Sequence, residues 1–139
     1  MNFRKIFQII SYLQYPLVII SIYFFVKEDY NTFLIFLGLG FSVSTLQDTT
    51  KTQTKLDKII MESPKKGKYF LVLTSIMTFA IIFYGIFGYV ISENEKITEL
   101  SVGFIVLGIG LISLLKTGIE MFENHRKDKN TTANNIYKK

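Results

Sequence analysis

The chain of 139 residues contains no cysteine. That removes disulfides, thiolate metal sites, thiol redox chemistry and palmitoyl anchors together, and with them the small four-helix membrane proteins that work through paired cysteines. Histidine occurs once, as His125 beside Arg126 and Lys127, so one chain cannot assemble a histidine metal site or a histidine-dependent nucleophilic triad. Charge is also missing where it would matter most. Four long apolar runs, 6–26, 32–46, 69–92 and 97–115, carry Asp, Glu, Lys or Arg only at their edges. An ionisable group held in hydrocarbon is the usual mark of proton- or ion-coupled transport, so its absence speaks against an exchanger built around an embedded carboxylate. The remaining acidic candidates, Asp48, Asp57, Glu62, Glu120 and Glu123, alternate with lysines as on a solvated face. No catalytic, cofactor-binding or metal-binding residues are expected, and the chain reads as a non-enzyme.

What is present is apolar length. Hydrophobic residues make up 49% of the chain, and a crossing helix needs about 20 of them in succession to span about 30 Å of hydrocarbon. Runs 6–26 and 69–92 satisfy this. Runs 32–46 and 97–115 are short and need tilt, local thinning or snorkelling neighbours. The first run is too long for a signal-peptide core and has no small-x-small cleavage site after Ser21, which predicts a retained helix.

The basic residues give the four runs a direction. Fourteen of the sixteen Lys and Arg lie before the first run, in 47–68, or from Lys116 onward, leaving Lys27 and Lys96 for the other two connections. Basic residues flanking membrane helices are retained on the cytoplasmic side, so both ends and the middle connection are expected inside. The net charge of +5 is then a property of the inner face. Topology and anionic lipid account for it, and nucleic acid is not expected as a partner. Such a bias is also incompatible with a protein that inserts in both directions, as the small fluoride channels do.

The outer connections are short, so the chain reads as two helical hairpins. Ser63-Pro64 is an N-cap and first-turn pair that predicts the start of the third helix. Ser92 with Glu95 has capping-box spacing and predicts the start of the fourth. Leu56, Ile59 and Ile60 share one face if the second helix continues through 47–62, and Ile119 with Phe122 would extend the fourth. Residues 123–139 are polar and expected to be disordered. A shift of 70 positions superimposes Leu37-Gly38-Leu39-Gly40 on Leu107-Gly108-Ile109-Gly110, which raises the question of a parallel duplication.

Three groups of side chains stand out. Gln8, Ser11 and Tyr15 form a polar stripe on the first helix, as helix-to-helix hydrogen-bonding groups or as the wall of a hydrated path, and Pro16 just after them can kink that helix. Gly103, Val106, Gly110, Ser113 and Thr117 recur at heptad spacing as a small-residue seam. Gly38, Gly40 and Ser44, with Ser42, offer the same on the second helix. These suit close backbone approach, within one bundle or between protomers. Lys65, Lys66 and Lys68 form the densest basic cluster, placed for contact with anionic headgroups.

The expected fold class is therefore all-α: an integral membrane four-helix bundle of two hairpins, with transmembrane helices over 6–26, 32–46, 69–92 and 97–115, a cytoplasmic connection over 47–68, and helices two and four free to extend into the cytoplasm. The transmembrane domain occupies 1–122 and the tail 123–139. Expected location is a cell membrane of the bacterial inner-membrane kind, with both termini cytoplasmic. Expected partners are membrane lipids with anionic inner headgroups, further copies of the chain, and an unidentified membrane or cytoplasmic protein. The expected role is that of a self-associating scaffold, regulator or accessory subunit acting through the basic face. A small oligomeric pore, holin-like forms included, is the alternative.

Overall fold

The computed structural model describes residues 3–47 and 55–126, without the side chains of Phe3, Arg4, Leu56 and Asp57. They form six helices and no strand: α1 Phe3–Ser11, α2 Gln14–Val26, α3 Tyr30–Ser44, α4 Lys55–Met61, α5 Pro64–Ile91 and α6 Glu95–His125. Three stretches are long and apolar enough to cross a membrane, Lys5–Val26, Pro64–Ile91 and Glu95–His125. The fourth apolar helix, α3, has 15 residues and is about 22 Å long at 1.5 Å per residue.

The first apolar stretch is two helices rather than one. Pro16 has no N–H to donate to the carbonyl of Tyr12, and that carbonyl instead accepts from Tyr15 N–H at 3.2 Å. The N–H groups of Tyr12 and Leu13 likewise donate to residues three back, Ile9 and Ile10. One tightened turn thus separates α1 from α2.

The turn between α2 and α3 puts Glu28 in the left-handed region, φ 61°. Asp29 then caps α3, its carboxylate accepting from Thr32 N–H at 3.1 Å. The turn between α5 and α6 differs from the capping box expected there. Asn94 is the N-cap of α6, its side chain accepting from Lys96 N–H at 3.0 Å, while Ser92 Oγ accepts from Asn94 N–H at 3.1 Å. Asn is as good a cap as Ser, and it stands one residue ahead of the helix where Ser92 stands three.

At the other end of the molecule, α5 begins as expected at Ser63-Pro64, with Lys66 N–H reaching Ser63 Oγ at 3.5 Å. The second hairpin is longer than its apolar run implies: α6 has 31 residues and passes Lys116 without interruption. The expected continuation of the second helix through 47–62 is not what the chain does. Ser44 and Thr45 donate their hydroxyls to the carbonyls of Phe41 and Ser42 at 2.7 and 2.8 Å, and Thr45, Leu46 and Gln47 turn with bonds to residues three back. Side-chain hydroxyls that take backbone acceptors compete with helix propagation. Helix α4 is therefore a separate element, and the segment joining it to Gln47 lies outside the described residues. So does most of the proposed tail, although its first residues, to His125, belong to α6.

The helices are arranged as a row. Helix α3 packs on α2 and on α6, α6 packs on α3 and on α5, and the short α4 rests on α5 and α6. The order across the row is α2, α3, α6, α5, with α1 touching α3. Helix α6 is consequently the most enclosed, and its buried residues are mostly small: Ser101, Gly103, Gly108, Gly110 and Thr117 among them.

Candidate functional site

The two faces of α6 explain that row. Gly103 and Gly110, seven residues apart, face α3. A Cβ on Gly103 would lie 2.8 Å from Asn31 Oδ1 and 3.0 Å from Leu34 Cβ, and one on Gly110 would collide with the backbone of Gly38. Conversely, a Cβ on Gly38 would lie 2.7 Å from the carbonyl oxygen of the half-buried Val106. Ser101 and Gly108, again seven apart, face α5, against Gly88 and Ile82. With no side chain between them, the backbones approach closely, the contact that stabilises helices in lipid. Of the other seam positions, Thr117 is buried and donates to the Ser113 carbonyl at 3.3 Å, and Ser113 is half-buried.

Gly40 and Ser44 do not join this seam. Gly40 faces α2, where a Cβ would lie 3.3 Å from Val18 Cγ2, and Ser44 is buried with its hydroxyl bonded inside α3. The α5-facing row of α6, Ser101 and Gly108, was not among the expected seam positions, although Gly85 and Gly88 of the facing helix are small residues of the kind expected to pack closely; they oppose Ile105 and Ser101.

The polar stripe of the first helix is not one surface. Ser11 is fully buried and donates to the Gln8 carbonyl at 2.8 Å, while Tyr15 is exposed and stacks with Tyr12 at 6.3 Å. Gln8 is half-buried and partnered. Ser21, Ser42, Thr74, Ser75, Thr78 and Ser101 behave like Ser11, each donating to a carbonyl three or four residues back in its own helix. At the outer end of the α3–α6 contact, Asn31 Oδ1 is buried beside Gly103 without a hydrogen-bond partner.

Beyond the apolar rows, the inner end is closed by a small core. Phe122 and Met121 of α6 pack with Met61 of α4, flanked by Ile60 and Leu71. The Phe122 ring sits where a Cβ on Gly67 would be, and the Arg126 guanidinium lies 5.4 Å from the ring centroid. Three exposed or half-exposed ion pairs surround it: Lys58–Glu62, Lys116–Glu120 and Arg126–Glu123. His125, expected as an exposed tail residue, instead bonds through Nδ1 to the Met121 carbonyl at 2.9 Å. Lys65, Lys66 and Lys68 are exposed and form no ion pair among the described residues. Nor do the described residues hold any group of three His, Asp or Glu side chains placed to bind a metal.

Above this core lies a cavity of ≈ 590 Å³. Helices α3 and α6 form its floor with Phe41, Leu114 and Leu115. Its sides are Val18 and Ile19 of α2 and Phe70 and Leu71 of α5, and Met61 and Met121 also line it. Gln14, Tyr15, Ser44, Gln47 and Thr74 add polar atoms, and no charged side chain lines it among the described residues. It exists because α2 and α5, at opposite ends of the row, face each other here without packing together.

No protein family matches the chain, and no curated protein or solved structure is similar to it.

Proposed function

We propose that the chain is a non-enzymatic integral membrane protein of four crossings, α1–α2, α3, α5 and α6, with both termini cytoplasmic. It acts through its basic inner face as a scaffold, regulator or accessory subunit. The observation that carries this reading is the inner core of Met61, Met121 and Phe122. A chain whose function ended at the membrane surface would have no need to pack α4 and the last turns of α6 into a platform there. The platform presents Lys65, Lys66 and Lys68 at its rim. Self-association on this reading uses the outer faces of α2 and α5, because Gly103 and Gly110 are occupied by α3 of the same chain.

The pore alternative is weakened by the hydroxyl bonds. A polar conduction path needs groups turned toward it that can replace ion hydration, whereas the hydroxyls of Ser11, Ser21, Thr78 and Ser101 are buried and donate to their own helices. Purified protein in liposomes should therefore give no ion flux above empty vesicles. Measurable flux would put the pore reading first. Reporter fusions after Lys139 should be active only as cytoplasmic reporters and fusions at Glu28 or Asn94 only as external ones. An external carboxyl terminus would overturn the orientation.

A further inference from the structure

We infer that the cavity between α2 and α5 is a binding site for an anionic membrane phospholipid. The acyl chain would lie among the apolar side chains and the headgroup at the rim beside Lys66. This rests on the membrane reading above. Three features of the cavity select this occupant. First, its ≈ 590 Å³ falls within the range of about 300–1,000 Å³ typical of small-molecule sites, and its walls are mainly aliphatic and aromatic. Second, it is open at the side: Ile19, Tyr15 and Phe70 line it yet are 67%, 55% and 41% exposed. In a bilayer that opening faces lipid, so a chain enters laterally without crossing water.

Third, unpaired positive charge stands close by. Lys66 stands one turn before Phe70 on the same face of α5, with Lys65 and Lys68 beside it, and none of the three is neutralised by a described carboxylate. Glu62, Glu120 and Glu123 are already engaged with Lys58, Lys116 and Arg126. Gln14, Tyr15 and Gln47 add hydrogen-bonding groups to the largely apolar lining. Apolar walls open to the side, a few polar groups among them and unpaired lysines one turn away suit an anionic phospholipid. A neutral apolar ligand would leave the lysines unused.

The chain has no tryptophan, so one introduced indole is a clean reporter of nearby lipid. Phe70→Trp places it in the cavity. Tyr69→Trp places it at the same depth but outside, on a side chain 72% exposed that does not line the cavity. Both full-length variants are reconstituted into phosphatidylcholine vesicles, and quenching is titrated with phosphatidylglycerol or phosphatidylcholine carrying brominated chains. The expected result is strong, saturable quenching of Phe70→Trp by a small fraction of the brominated anionic lipid, with the two lipids alike at Tyr69→Trp. Neutralising Lys66 should weaken the preference about five-fold, the equivalent of the ~1 kcal/mol that a lysine near an anionic surface contributes. Equal quenching of Phe70→Trp by both lipids would overturn the site, as would an anionic preference of equal size at both positions. If brominated phosphatidylcholine quenches neither variant, the membrane reading itself fails.

Discussion

The two hairpins are built from similar apolar material and end differently. In the first, α2 and α3 have 13 and 15 residues; α2 starts where hydrogen bonding is diverted just ahead of Pro16, and α3 stops where it is diverted at Ser44 and Thr45. In the second, α5 and α6 have 28 and 31 residues and run past the end of their apolar stretches. What extends them is packing. Phe122 is 4% exposed because α4 and Gly67 receive it, and helices persist where an amphipathic face has something to bury against. Helix length here follows the partner available at the end, not the hydrophobic run.

Removing that partner is the severest way to break the difference. Phe122→Ala leaves a void between α4, α5 and α6, and deletions of buried aromatics cost about 3–5 kcal/mol. Thermal unfolding in detergent should fall sharply, and limited proteolysis should open the chain around α4 first. If Phe122→Ala melts like the parent, the inner core is not what prolongs the second hairpin.

The hairpins meet at Gly38 and Gly110, and a side chain there should push them apart. Gly110→Leu inserts four carbons where the first already meets the backbone of Gly38, with an expected cost of about 1–3 kcal/mol or more for overpacking. Val106→Leu adds volume beside a half-buried position and should cost under ~1.5 kcal/mol. Circular dichroism melts of the pair distinguish the two. Equal stability of both variants would mean that α3 and α6 can separate without loss.

The glycine tetrads test whether the hairpins are copies. Gly40 and Gly110 coincide under the 70-residue shift, yet Gly40 faces its own hairpin partner α2 while Gly110 faces the other hairpin; Gly38 and Gly108 are exchanged in the same way. A duplication that preserved structural roles would not reverse them. Gly108→Ala must displace Ile82, whereas Gly40→Ala comes no closer than 3.3 Å, to a methyl of Val18, with Gln14 O and Leu17 Cβ at an ordinary 3.6 Å. Alanine gains about 1 kcal/mol over glycine in a helix interior, so Gly40→Ala should be neutral or stabilising and Gly108→Ala destabilising. The same sign for both would restore the equivalence of the tetrads.

The features legible in the sequence were those set by one residue acting locally. Ser63-Pro64 announced the start of α5, and the apolar runs announced an all-helical chain with long, membrane-compatible stretches. The features set by partners were not legible. Nothing in Ser44 or Thr45 alone says that their hydroxyls will end α3, since Ser42 and Ser75 make similar bonds inside helices that continue. The inner core was hidden for the same reason: Met61 and Phe122 are far apart in sequence, and Gly67 looks like a linker until the ring that fills it is placed. The cavity arises from two helices that fail to meet, and the pattern of each helix by itself does not record that.

The smallest expected effect lies at the turns within the two hairpins. Glu28 holds a left-handed backbone, the only described non-glycine residue to do so, at a cost of roughly 1–2 kcal/mol for a residue with a Cβ. Glycine removes that cost but loses about 0.5–1 kcal/mol through its freer unfolded chain, so Glu28→Gly should stabilise by up to about 1 kcal/mol. In the turn between α5 and α6 Glu93 has no such conformation to relieve, and Glu93→Gly should destabilise by about 0.4–1 kcal/mol. Both substitutions remove one exposed negative charge, so electrostatics shifts them together and the backbone shifts them apart. Melts of the two variants should move in opposite directions, and a common direction would mean that backbone strain is not what distinguishes the two turns.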